Sequence, residues 1–224
     1  MSLLSRVAAL PAALLLAACA TPPTQESAKP RAPSRSELRP PEAFDTIRDP
    51  ADRSRALFLE STRVMLHPRC ANCHPAGDTP LQGDMSVVHD PPVARGPDDV
   101  GVPALRCDSC HQDKNLALAR VPGAPGWHLA PRSMAWFGRS PAAICAQLKD
   151  PEKNGKRSLE AIVDHAAHDR LVAWAWDPGH ERAPAPGTQA RFGALVDAWV
   201  KTGAACPAED APTPTPAPAN EAHP

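Results

Sequence analysis

The sequence predicts a mainly α fold in which a few helices alternate with long proline-rich loops. Three observations lead there. Apolar residues recur at helical spacing in several separated stretches, no stretch of comparable strength alternates as a strand does, and 29 of the 224 residues are proline. Five tryptophans, four phenylalanines and no tyrosine leave few large side chains to fill a core. Proline shortens regular structure as well, so the packed part of the chain needs apolar bulk from another source.

The chain opens with a short basic region ending at Arg6, followed by the apolar run Val7 to Ala18, broken only by Pro11. This is the pattern of a secretory leader, residues 1–18. A run of about 12 residues falls short of the roughly 20 needed to cross a bilayer. Leu16-Ala17-Ala18-Cys19 resembles the lipobox of bacterial lipoproteins, which implies that Cys19 is lipidated and becomes the mature N-terminus. The other reading is ordinary cleavage after Ala20, because Ala18-Cys19-Ala20 is also a small-x-small site. Ala20 rather than Asp after the cysteine favours the outer membrane. The expected location is therefore the periplasmic face of a bacterial membrane, held there by several acyl chains.

Residues 19–41 are rich in Pro, Ser and charge and read as a flexible tether. One domain of residues 42–206 follows, and then a low-complexity tail, residues 207–224, containing "APTPTPAPA". Within the domain, helices are expected over Asp52 to His67, Ser140 to Leu148, Ser158 to Trp176 and Thr188 to Thr202. Ser158 is a natural N-cap and Gly203 a natural helix stop. The last helix places Phe192, Leu195, Val196, Trp199 and Val200 on one face.

Export makes the cysteine count informative. Of seven, one goes to the lipobox and four lie in "CANCH" and "CDSCH", that is Cys70, Cys73, Cys107 and Cys110, leaving Cys145 and Cys206. In an oxidising compartment these two are expected to form a disulfide, the alternative being two buried free thiols. A CxxC turn directly followed by histidine is the attachment signature of a c-type haem. The two sulfurs form thioethers and the histidine, here His74 and His111, ligates iron from the proximal side. A four-sulfur zinc site is the main rival, but zinc ribbons separate their pairs by about 15–20 residues and have no use for a histidine after each pair. Thiol–disulfide chemistry would need strand–helix context around the pair, which Pro75 and the polar second site do not supply. Two covalent haems would also provide the missing core bulk, with cytochrome c-like helices and loops packed around them. The haem-free chain would then fold poorly.

Distal iron ligands come from the remaining histidines and methionines. His89 is the first candidate, in the loop "MSVVHDPP" between the two motifs, followed by His128 and Met134 in "PGAPGWHLAPRSMAWF". His67, His165, His168, His180, Met65 and Met85 rank below them.

The stretches "HPRCANCHPAGDTPLQGD", "VPGAPGWHLAPRSMAWFGRSPAAICAQLKDPEKNG", "DRLVAWAWDPG" and "FGALVDAWVKTGAACP" resemble a family of small bacterial haem proteins known as isoquinoline 1-oxidoreductase subunits. The resemblance spans about Ala51 to Pro207. It implies a partner, a periplasmic molybdenum hydroxylase that oxidises an N-heterocycle or aldehyde with water and must export electrons to a downstream carrier. The net charge of −1 gives no basis for nucleic-acid binding. Gln147 to Arg157 ("QLKDPEKNGKR") concentrates four basic residues, as a solvated loop or as a docking point for an acidic partner. The expected function is electron transfer by a lipid-anchored dihaem carrier rather than catalysis. A dihaem peroxidase and a zinc-braced structural lipoprotein are the alternatives.

Overall fold

The computed structural model describes residues 37–179 and 182–211. The expected leader, the lipidated Cys19, the tether up to residue 36, His180 and the tail from residue 212 lie outside the described residues.

Helices dominate, and each starts where the sequence offers a cap. Helix α1 (Pro50–Met65) begins at Asp49, whose carboxylate accepts the Asp52 N–H at 2.8 Å, with Pro50 at a position that needs no N–H. His67 caps α2 (Pro68–Ala71) by accepting the Arg69 N–H at 3.2 Å. Ser140 starts α3 (Pro141–Lys149) and Ser158 starts α4 (Leu159–His168), each hydroxyl accepting an N–H three residues on. Thr188 does the same for α6 (Gln189–Lys201).

The expected helix from Ser158 to Trp176 is not continuous. It breaks at Asp169, whose backbone is extended at ψ 132° and whose carboxylate caps the next helix, α5 (Arg170–Ala173), by accepting the Leu171 N–H at 2.7 Å. An aspartate offers the backbone an alternative to the helical ladder, and here that local bond wins over apolar periodicity. A single 3₁₀ turn, Trp174–Trp176, completes the segment. Strand is confined, among the described residues, to two antiparallel hairpins: β1 (Leu81–Gln82) with β2 (Val87–Val88), and β3 (Gly101–Val102) with β4 (Leu105–Arg106). Strands of two residues are too short to leave an alternating signature.

Helix α6 packs between α1 and α4 and forms the centre of the core. Gly193 permits the α4 contact, because a Cβ there would sit 2.5 Å from the Ala167 Cβ. Trp199 of α6 is fully buried, lies 4.9 Å from the Phe58 ring of α1, and donates from Nε1 to the Ala205 carbonyl at 3.1 Å. Leu195, Val196, Ile144, Leu57 and Val64 fill the space around it, and Val200 is only half-buried. Cys145 of α3 and Cys206 are joined in a disulfide with Cα atoms 5.6 Å apart, as expected, which excludes the free-thiol alternative.

Both domain edges extend beyond their expected positions. Leu38 is buried in the core, and Arg39 Nε donates to the buried Glu60 at 2.8 Å, so residues 37–41 belong to the fold rather than to a tether. Burial pushes the Glu60 carboxyl up, but hydrogen bonds from Arg39 and Arg63 outweigh it and hold the group below its ordinary range. At the other edge Pro207 is buried and Glu209 accepts the Ser140 hydroxyl at 3.0 Å, which extends the ordered part past residue 206. Among the described residues no helix is long and apolar enough to cross a membrane.

Candidate functional site

Between α2 and α3 the chain carries little regular structure, and buried arginines hold it in shape. The Arg69 side chain is almost wholly buried and pairs with Asp84. Arg95 donates to Asp99 at 2.5 Å, to the Ala130 carbonyl, and to the Gly77 carbonyl at 3.2 Å, joining three loops through one guanidinium. Both CxxCH motifs lie within or beside this region and fold alike. His74 N–H donates to the Cys70 carbonyl at 3.2 Å, and His111 N–H to the Cys107 carbonyl at 2.9 Å. Each motif is thus one helical turn, with both sulfurs and the imidazole brought to one locality.

All four motif cysteines are free thiols. Burial pushes the Cys70 thiol up to about 12 and the Cys73 thiol up to about 11, and raises Cys107 as well. Redox-active cysteines need the opposite, a thiolate stabilised near neutral pH. The electrostatics of the first motif therefore oppose a thiol–disulfide role there.

The two histidines are held in the same way. His74 Nδ1 donates to the Met134 carbonyl at 2.7 Å, and its ring stacks on Trp136 with centroids 3.5 Å apart. His111 Nδ1 donates to the Pro122 carbonyl at 2.7 Å, and its ring stacks on Trp127 at 4.5 Å. A carbonyl can only accept, so the proton sits on Nδ1 and the Nε2 lone pair is left for a ligand. Burial lowers the pKa of both, His74 to about 3, which keeps the rings neutral. Gly123 allows the second anchor, since a Cβ there would lie 2.3 Å from the Gln112 carbonyl oxygen.

Each motif opens on a cavity. The one at the second motif measures about 540 Å³ and is lined by Cys107, Cys110, His111, His89, Trp127 and Arg182 among others. The one at the first measures about 120 Å³ and is lined by Cys70, Cys73, His74, Met134, Trp136 and His165 among others. Cofactor sites usually occupy about 300–1,000 Å³; the second cavity falls within that range and the first below it. Arg69, Cys73, His128 and Trp174 line both cavities and so form a shared wall. Trp174 packs edge-on against Trp127 at 4.9 Å, and its Nε1 donates to Asn115 at 2.9 Å.

The expected distal candidates divide clearly. The His89 ring lies 5.9 Å from the His111 ring, with its Nδ1 donating to the Pro91 carbonyl at 2.9 Å. Two imidazoles bound to one metal through bonds of about 2 Å have centroids about 6 Å apart. His128 borders both cavities, with Nδ1 on the Gly126 carbonyl at 2.5 Å. The Met134 backbone lies on the Nδ1 side of His74, away from the nitrogen that would meet a metal. Met65 borders the first cavity, whereas His67, His168 and Met85 border neither.

Several contributors carry no sequence signal. Trp127 and Trp136 become ring supports, Arg157 turns from the expected basic loop into the first cavity, and Arg69 joins the shared wall. Two buried donors at these cavities, Arg69 Nε and Trp136 Nε1, have no hydrogen-bond partner. They suit a ligand that carries acceptor groups such as carboxylates. No group of three or more His, Cys, Asp or Glu side chains gathers as a metal site among the described residues. Each motif thus sets its two cysteines and its histidine along the wall of a cavity. No protein-family model matches this chain, and neither does any curated protein or solved structure, so its role is argued from these residues.

Proposed function

We propose that the protein is an exported, lipid-anchored dihaem cytochrome c that carries electrons from a periplasmic molybdenum hydroxylase to a downstream carrier. Haem c, when bound, supplies one-electron chemistry at its iron. The observation that carries this reading is the duplicated CxxCH turn whose histidine is fixed through Nδ1 to a backbone carbonyl and laid flat on a tryptophan.

In this reading Cys70 and Cys73 hold one ring, and Cys107 and Cys110 the other, by thioether bonds. His74 and His111 would ligate the two irons through Nε2, the Met134 and Pro122 carbonyls fixing tautomer and ring plane. His89, whose ring lies 5.9 Å from that of His111, would be a further ligand to the second haem. Arg69 and Trp136 supply donors for porphyrin carboxylates. The shared wall of Arg69, Cys73, His128 and Trp174 keeps the two sites adjacent, as transfer between them requires. Cys19 would anchor the assembly at the periplasmic face of the membrane, where a soluble or membrane-bound partner can reach it.

Redox titration of the holoprotein tests the proposal. It should take up two electrons per chain, pass them to an oxidised c-type cytochrome, and show no turnover with hydrogen peroxide. A chain with no reducible chromophore, or one that consumes peroxide through an open iron, overturns the carrier reading.

A further inference from the structure

We propose that His165 is the second axial ligand of the iron held by Cys70, Cys73 and His74, and that Asp169 fixes its ring. The inference rests on the dihaem reading and names the ligand that reading leaves open.

His165 lies on α4 and borders the same cavity as Cys70, Cys73 and His74. Its Nδ1 is engaged with the Asp169 carboxylate at 2.9 Å, so Nε2 is the nitrogen left for a metal. Asp169 is in turn held by the Leu171 N–H at 2.7 Å and the Val172 N–H at 3.3 Å. The break between α4 and α5 thereby acquires a purpose: it places a carboxylate one helical turn beyond a histidine and locks both.

The rivals are less well placed. His128 borders this cavity too, but it sits on a loop directly after Trp127, which is committed to the second site. Met134 lines this cavity as well, but its carbonyl is tied to His74 Nδ1 and, among the described residues, no side-chain partner fixes its sulfur as Asp169 fixes His165. Met65 is part of the α1 core at 2% exposure.

The assignment makes the two irons unequal. A histidine bound to a carboxylate is a stronger donor than one bound to a carbonyl, and stronger donation favours the oxidised metal. By that ligand difference alone the first site would have the lower of the two potentials.

The test is the spin state of the ferric holoprotein, with covalent haem counted separately on denatured chain. Wild type should be wholly low-spin with two haems. His165→Ala should keep both haems and turn one iron of the two high-spin, and added imidazole should return it to low-spin. His168→Ala, at a residue that borders neither cavity, should change nothing. His165→Met should remain low-spin with one potential raised, and Asp169→Asn, which retains a capping oxygen, should raise the same potential. A wholly low-spin His165→Ala protein, or a high-spin iron produced by His128→Ala instead, overturns the assignment. Should His165→Ala fail to accumulate, an unchanged pair of potentials in His165→Met overturns it. A wild-type chain without two covalent haems refutes the dihaem reading itself, an outcome the separate count tells apart.

Discussion

The bridge between Cys145 and Cys206 is the strongest single covalent constraint on the fold, and its loss has a calculable effect. The half-cystines are 61 residues apart in sequence. Closing a loop of that size in the unfolded chain removes conformational entropy equivalent to about 4 kcal/mol at 25 °C. The bridge ties α3, which gives Leu148 to the first cavity, to the segment after α6, which gives Phe192 and Val196. Replacing the pair as Cys145→Ala with Cys206→Ser should therefore destabilise the holoprotein by about 4 kcal/mol. With a urea dependence of about 2 kcal/mol per molar, the unfolding midpoint falls by about 2 M. Wild type unfolded in the presence of a thiol reductant should approach the midpoint of the variant. A midpoint that moves by less than about 0.5 M, in the variant or on reduction, refutes the claim that this bridge constrains the domain.

Trp199→Ala removes a fully buried ring packed at a tilt against Phe58 and should cost about 3–5 kcal/mol, read from the same denaturation curves. Arg69→Met strands Asp84 beside the shared wall. It should destabilise by about 3 kcal/mol, a value at the low end for buried pairs because the Asp84 side chain is 22% exposed. The pH dependence follows from His67. Burial and then the nearby Arg69 charge push its pKa down to about 4 from 6.5. Below pH 6.5 the unfolded chain binds a proton that the folded chain refuses, so stability falls as pH drops towards 4 and then levels off. A shift of that size is worth about 3 kcal/mol. His67→Asn keeps an acceptor for the α2 cap and should flatten this slope in acid-titration melts; an unaltered slope contradicts the assignment.

Much of the fold follows from local rules that are visible in the chain. Ser158 caps its helix because a hydroxyl there can reach the Ala161 N–H, and Gly203 follows α6 with φ at +102°, a backbone that favours glycine. The disulfide is legible by subtraction, since assigning five of the seven cysteines to motifs leaves only Cys145 and Cys206. What periodicity could not resolve was competition. Asp169 lies in a run that reads as helix, and only the folded chain shows its carboxylate restarting the backbone.

The candidate sites divide along the same line. The motifs are contiguous, so Cys70, Cys73, His74 and their counterparts are legible at sight. The groups that orient them are not, since a backbone carbonyl such as that of Met134 or Pro122 has no side-chain signature. Met134 is legible in the sequence for its sulfur, but the bond its carbonyl makes to His74 is not. His89 was favoured because its loop joins the two motifs, and the chain does bring it to His111. His165 ranked low because a histidine on an amphipathic helix is ordinary. Its distinguishing feature is the aspartate four residues later, a pairing that acquires meaning only beside the cavity.

The decisive measurement is the intact mass and reduced absorption spectrum of the mature chain, produced in a host able to attach haem, before and after extraction with acidified acetone. The account requires a mass increment of two haems that survives extraction, accompanied by the sharp reduced bands of thioether-linked porphyrin. A colourless chain of bare polypeptide mass, or colour that leaves with the solvent, contradicts it.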